Sequence, residues 1–247
     1  GAAWAGGKHY SSPKQIGSDT TWSTAHSAGT TMLATKTDGT LWSWGRGTGG
    51  QLANDLTAHR SSPVQIPGTT WSTDPSMISS TYGQGCVAAI KTDGTLWVWG
   101  GNGYGAQGRN DTSSTSSPEQ VGSDTTWSKI AGGKNGFHAI KTDGTAWSWG
   151  DNEAGQLGLS DKTHRSSPTQ IGSGTDWSRV APYDYFGVMT KSDGTAWAMG
   201  NMSGDKIGQN NTSGASPTGS PVQVAGTGWV DVQSSRQWTM GLAQDLS

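Results

Sequence analysis

The sequence predicts an all-β fold: a five-bladed β-propeller of four-stranded antiparallel blades, closed by a blade shared between the N- and C-termini. Three observations predict it. The phrase KTDGTLWSWG at 36–45 returns with small edits at 91–100, 141–150 and 191–200. A Ser-Pro pair, a Trp and an Asp recur in fixed order: Pro13, Pro63, Pro118, Pro168, Pro221; Trp22, Trp71, Trp127, Trp177, Trp229; Asp38, Asp93, Asp143, Asp193, Asp245. Their spacings run from 49 to 56 residues. Finally, 39 glycines and 14 tryptophans among 247 residues point to many tight turns around large aromatic anchors. Four short strands per unit of roughly 50 residues, radially repeated, is the propeller signature.

Within a unit the elements follow from local chemistry. Asp-Gly at 38–39, 93–94, 143–144 and 193–194 is flanked by alternating apolar and polar residues, the pattern of a two-residue type I′ hairpin with positive φ at both central residues. One strand precedes this loop (TMLATK, VAAIK, HAIK, VMTK) and another follows it (TLWSW, TLWVW, TAWSW, TAWAM). Two more fit around SPVQI and around the recurring Trp. Trp42 and Trp44 are two apart and project from one side of their strand. A single small sheet cannot cover both, so stacking against the next unit is expected to bury them.

The ends supply the fifth unit. Residues 226–247 carry the first half of a blade and residues 1–17 the second, with Trp4 standing where other units have their hairpin tryptophan. Joining them makes residues 1–247 one closed domain without free sheet edges.

Composition excludes several functional classes. Net charge is −2 and the 16 Lys and Arg are scattered, unlike the clustered basic surface that binds nucleic acid. No apolar run reaches the roughly 18 residues of a membrane helix, so membrane insertion is not expected. Cys86, the sole cysteine, cannot form an intrachain disulfide and reads as a small buried hydrophobe. Glu occurs only at Glu119 and Glu153, leaving little material for paired-carboxylate catalysis. His59 and His164 each stand four residues before a Pro and read as one repeated strand-edge feature, and His138 reads as a packed histidine. No His pair has metal spacing and no glycine run resembles a phosphate loop. DNEAGQLGLSD, from Asp151, lacks the closing Glu of a calcium loop. Neither a cofactor, a metal nor catalytic residues are expected.

The repeats, reading TDWS, AIKTDGTLWSWG, GQLG and RSSPVQIG, resemble those of the regulator of chromosome condensation, the RCC1-like propellers, and most of all the Trp-rich versions of environmental bacteria and phages. The resemblance covers essentially the whole chain. It implies a propeller and structural roles for the segments at Gly47, Gly103 and Glu153. It implies little about function, because the family spans a nucleotide-exchange factor, a β-lactamase inhibitor, a light sensor and other modules. The best-known members have seven blades, whereas this chain has material for five. The family's His before the hairpin is replaced here by Thr31, Cys86, Gly136, Phe186 and Trp238, so exchange-factor activity is not implied.

Near-identical units allow an internal comparison: positions that differ between units are free of the scaffold. The most divergent slot lies seven to ten residues before the hairpin Asp, in the loop between the strand at the Trp and the strand before the hairpin. It reads AGTT at 28–31, GQGC at 83–86, GKNG at 133–136, YDYF at 183–186 and SRQW at 235–238. Its aromatic and charged content nominates a ligand-binding patch of Tyr183, Asp184, Tyr185, Phe186, Arg236, Gln237 and Trp238, with Lys134 and Asn135 beside it. Six extra residues before Asp93 bring in Tyr82, and three extra precede Pro221. The expected function is a non-catalytic interaction or structural module that binds a protein. Its expected setting is a virion, as capsid decoration or tail protein, or a cell surface. A carbohydrate-binding lectin that takes glycans, and an enzyme with residues gathered at the central channel, are the alternatives.

Overall fold

The computed structural model describes residues 15–55, 57–201, 218–234 and 239–243. Four sheets of four antiparallel strands and one of two follow one another. The first blade is β1 (Trp22–Ala28), β2 (Thr31–Lys36), β3 (Leu41–Gly45) and β4 (Arg60–Ile66). The second is β5 (Ile78–Ser80), β6 (Cys86–Ile90), β7 (Leu96–Gly100) and β8 (Thr115–Gln120). The third is β9 (Trp127–Gly132), β10 (Gly136–Lys141), β11 (Ala146–Gly150) and β12 (Arg165–Gln170). The fourth is β13 (Trp177–Pro182), β14 (Phe186–Lys191), β15 (Ala196–Gly200) and β16 (Thr218–Val224). A two-stranded sheet, β17 (Trp229–Ser234) and β18 (Thr239–Ala243), begins a fifth unit. The first strands β1, β5, β9, β13 and β17 pack side by side in chain order around an axis, and the SPVQI-type strands lie outermost. Residues 1–14 and 244–247, and with them the expected closure and Trp4, lie outside the described residues.

The recurring phrase is explained atom by atom. Asp38 Oδ1 accepts from the Thr40 backbone N–H (3.0 Å) and hydroxyl (2.7 Å), and the hydroxyl oxygen accepts from Trp42 Nε1 (2.8 Å). The same chain runs Asp93–Thr95–Trp97, Asp143–Thr145–Trp147 and Asp193–Thr195–Trp197. The hairpin itself differs from the expected type I′. Gly39 N–H donates to Lys36 C=O and Lys36 N–H to Thr40 C=O, and in each hairpin only the glycine has positive φ, +77° to +80°. This is the three-residue loop, a type I turn closed by a glycine bulge, and it frees Asp to stay in ordinary backbone while its carboxylate caps the turn.

The glycine also joins one blade to the next. Its carbonyl accepts the backbone N–H of the following blade's first-strand tryptophan: Gly39 from Trp71 (3.0 Å), Gly94 from Trp127 (3.2 Å), Gly144 from Trp177 (3.1 Å) and Gly194 from Trp229 (2.9 Å). A Cβ at Gly144 would stand 2.0 Å from Thr175 C=O. The lysine of the phrase lies between two indoles, with Lys141 Nζ 4.7 and 3.8 Å from the ring centroids of Trp127 and Trp147. Lys36, Lys91 and Lys191 repeat the arrangement. The phrase's last aromatic reaches backward: Trp99 Nε1 donates to Gln51 C=O (2.9 Å) and Trp149 Nε1 to Ala106 C=O (2.8 Å), each in the preceding blade. Trp99 and Trp149 are fully buried, as the sandwich of successive sheets predicts, whereas Trp42 and Trp44, expected to be buried likewise, are each only partly buried.

Candidate functional site

The first-to-second strand loops of blades two, three and four meet in one platform. The loops of blades three and four close on themselves alike, through Gly133 N–H to Gly136 C=O and Tyr183 N–H to Phe186 C=O, both 2.9 Å. Blade two's longer loop closes through Thr81 N–H to Cys86 C=O, 2.8 Å. They are then joined to one another. Tyr82 N–H donates to Gly133 C=O (3.3 Å) and Gly83 N–H to Lys134 C=O (2.8 Å). Gly83 has no room for a side chain, since a Cβ would lie 2.2 Å from Asn135 Oδ1 and 2.7 Å from Lys134 C=O.

On this backbone the side chains form a connected cluster. The rings of Tyr82 and Tyr183 lie 5.2 Å apart at 32°, within the range of favourable aromatic pairs. The Lys134 ammonium donates to the Tyr185 hydroxyl, lies 4.1 Å from that ring's centroid and 3.8 Å from the Asp184 carboxylate. Burial, together with the Asp184 charge and hydrogen bond, pushes the Tyr82 phenol well above its ordinary value. The hydrogen bond with Tyr185 raises Lys134 against its own desolvation. The platform therefore holds the Tyr82 phenol in its neutral form, beside the Lys134–Asp184 contact. Tyr82 is 41% exposed.

Two nominated residues lie beneath this surface. Phe186 is fully buried as the first residue of β14, in a core with Ala181, Val188 and Ala198. The last position of the divergent slot belongs to a strand and faces inward, as Thr31 and Cys86 do also. Variation there is packing, and Phe186 offers no surface to a ligand. Asn135 is buried too, with Oδ1 lacking a hydrogen-bond partner. Below it His138, 2% exposed, lines a void of about 10 Å³ with Asp151 and Gln156. Burial pushes His138 down to about 4, and the nearby Gln156 backbone only partly offsets this. Arg236, Gln237 and Trp238 lie outside the described residues.

His59 and His164 serve turns. His164 Nδ1 accepts the Asn152 backbone N–H (2.9 Å) and His59 Nδ1 that of Gly47 (3.3 Å). Asn152 ties the DNEAGQLGLSD segment together by donating to Asp161 and Thr163. Among the described residues no group of three or more His, Cys, Asp or Glu is placed to hold a metal. Burial raises the Cys86 thiol far above its usual range.

Sequence reasoning missed one group. Lys129, Arg179 and Asp231 stand two residues after their first-strand tryptophans and line the axial cavity. The signal was present, because this slot reads Thr24, Thr73, Lys129, Arg179, Asp231 beside a nearly constant Ser.

A family model for the regulator of chromosome condensation (RCC1) repeat matches residues 38–90, 93–139 and 143–181. The chain belongs to the RCC1 repeat family. Yeast RCC1 (Prp20), solved bound to Kap60, superposes with a TM-score of 0.71 at 18% identity over 88% of this chain and 53% of its own. Human WBSCR16 gives 0.73 at 19% identity over 92% of this chain and 58% of its own. Prp20p of Saccharomyces cerevisiae, described with its binding to Gsp1p and histones, gives 0.71 at 18% over 88% and 55%. This RCC1-repeat chain thus spans a little over half the length of these structures, and at such identities the likeness establishes the fold. No curated protein matches the sequence.

Proposed function

We propose that this chain is a non-catalytic interaction propeller that docks another protein on the platform of Tyr82, Lys134, Tyr183, Asp184 and Tyr185, with the 235–238 loop extending it. The observation that carries the proposal is the assembly of three divergent loops into one aromatic surface: the Tyr82–Gly133 and Gly83–Lys134 backbone bonds join blades two and three, and the Lys134–Tyr185 hydrogen bond and the Tyr82–Tyr183 ring contact bring in blade four. A surface already ordered loses little entropy on binding, and tyrosine-rich clusters are typical interface hot spots. Yeast RCC1, which this chain resembles in fold, has been solved with Kap60 bound. The low charge and Gly/Ser/Thr-rich composition favour a virion, as decoration or tail protein, or a cell surface as its setting. We further propose that residues 226–247 and 1–17 complete a fifth blade, because Trp229 already receives the Gly194 link that opens every other described junction.

The test is a photocrosslinking amino acid placed at Tyr82, with Val222 of the outermost strand, equally exposed, as control. In an extract of the organism that makes the chain, position 82 is expected to crosslink one protein that position 222 does not. Equal labelling from both, or crosslinks to glycan alone, overturns the proposal.

A further inference from the structure

The first-strand slot that follows each inner tryptophan diverges as the platform loops do, and it faces a different space. Lys129 on β9, Arg179 on β13 and Asp231 on β17 line an axial cavity of about 610 Å³, together with Pro75 and Ser76 of the 3₁₀ turn Pro75–Met77 and its cap Asp74. That turn is the six-residue insertion of the second unit, which sits against β9 on the inner edge.

The charged groups around this cavity are two cations, Lys129 and Arg179, and two carboxylates, Asp74 and Asp231. Asp74 Oδ1 is taken by the Ser76 N–H (2.8 Å) and hydroxyl (2.7 Å), and Asp231 Oδ1 by the Val232 N–H (2.9 Å). Lys129 Nζ donates to the Ser178 carbonyl of the next blade at 2.6 Å, and the Asp74 carboxylate acts on its charge at longer range. Arg179 Nε stands 3.9 Å from Asp231 Oδ1, beyond hydrogen-bond length. Its other guanidinium N–H groups meet no acceptor among the described residues, although a guanidinium carries five donors in a planar fork. Burial, and after it the Arg179 charge, disfavour the Lys129 cation, and the Asp74 charge offsets them in part. One oxygen of each carboxylate is engaged locally, and both cations line the cavity.

We propose that the axial cavity binds a small oxyanion, a carboxylate or phosphate group held by the Arg179 fork with Lys129 as second cation. A fork of this geometry matches either group bidentately. The site is independent of the platform.

The full chain is titrated calorimetrically with inorganic phosphate and, separately, with citrate at low salt, against Arg179→Gln, Lys129→Gln and the platform variant Tyr185→Ala, with near-ultraviolet circular dichroism confirming the fold of each. Wild type is expected to bind at least one anion, and the tighter of the two identifies the group. Arg179→Gln is expected to weaken binding at least tenfold, about 1.4 kcal/mol, and Lys129→Gln to weaken it less. Tyr185→Ala leaves binding unchanged. Absence of binding by both anions at millimolar concentration, an Arg179→Gln affinity equal to wild type, or an equal loss in Tyr185→Ala overturns the proposal. None of these outcomes touches crosslinking from Tyr82.

Discussion

Replacing Trp149 by Phe removes one indole N–H and the pyrrole half of a ring that has no solvent exposure. The N–H is the donor to Ala106 C=O of the preceding blade at 2.8 Å. Leaving that carbonyl buried without a donor costs about 1–3 kcal/mol. The vacated volume adds about 1 kcal/mol at roughly 24 cal/mol per Å³, and the edge contact with Trp127, 5.9 Å between centroids, weakens. The expected loss is about 3 kcal/mol by equilibrium urea unfolding, with an unchanged denaturant slope. Trp147→Phe is the control. Its ring is only partly buried and its Nε1 donates to the Thr145 hydroxyl, which water can replace, so about 1 kcal/mol or less is expected. Equal costs for the two substitutions would refute the argument that the second tryptophan of the phrase pegs blades two and three to their predecessors. Blade four has Met199 at this position, fully buried and without a donor, so the polar peg is confined to blades two and three among the described blades.

Other consequences are accessible to the same methods. Lys141→Met keeps the aliphatic stem between Trp127 and Trp147 but loses the cation and its 2.5 Å pair with Asp124, an expected cost of about 1–2 kcal/mol at pH 7 after solvent screening of the one-third-exposed carboxylate. Burial raises Asp124, but hydrogen bonds from Lys141 and Thr126 outweigh it and hold the group down to about 2. That contribution is present above the unfolded value and lost as pH falls through about 2, so the mutational cost shrinks between pH 4 and pH 2, read by urea unfolding across that range. His138 works in the same direction for another reason. Held down to about 4 by burial, it refuses the proton that the unfolded chain accepts near 6.5, so wild type loses up to about 3 kcal/mol between pH 6.5 and 4. His138→Leu flattens that window, and an unchanged slope would remove the claim. Gly83→Ala pushes a methyl into Asn135 Oδ1 and Lys134 C=O. It is expected to abolish Tyr82 crosslinking while moving the thermal midpoint by only a few degrees, because the loop lies outside the inter-blade core.

The blades were legible because their causes are local. Asp-Gly after an apolar strand and paired tryptophans at alternate positions state both the hairpin and the buried face. The type of hairpin was not legible, since it depends on where the Asp carboxylate goes, and Thr40 and Trp42 draw it back over the turn. The lysine of KTDG sits between two indoles, a placement the phrase by itself does not state because one of the two, Trp22, Trp71, Trp127 or Trp177, comes from outside the hairpin. Tyr82, Tyr183, Asp184 and Tyr185 were found by asking where the repeats disagree. The same question misplaced Phe186, because a strand's first residue varies as freely as a loop when its neighbours repack. It passed over Lys129 and Arg179 because the comparison was anchored on the hairpin, whereas their shared feature is distance from the first-strand tryptophan.

The affinity of the protein crosslinked at Tyr82, purified and titrated against wild type and Tyr183→Ala, tests the central claim most directly. The account predicts a loss of at least tenfold for Tyr183→Ala with thermal stability nearly unchanged, and an unaltered affinity for that variant would contradict it.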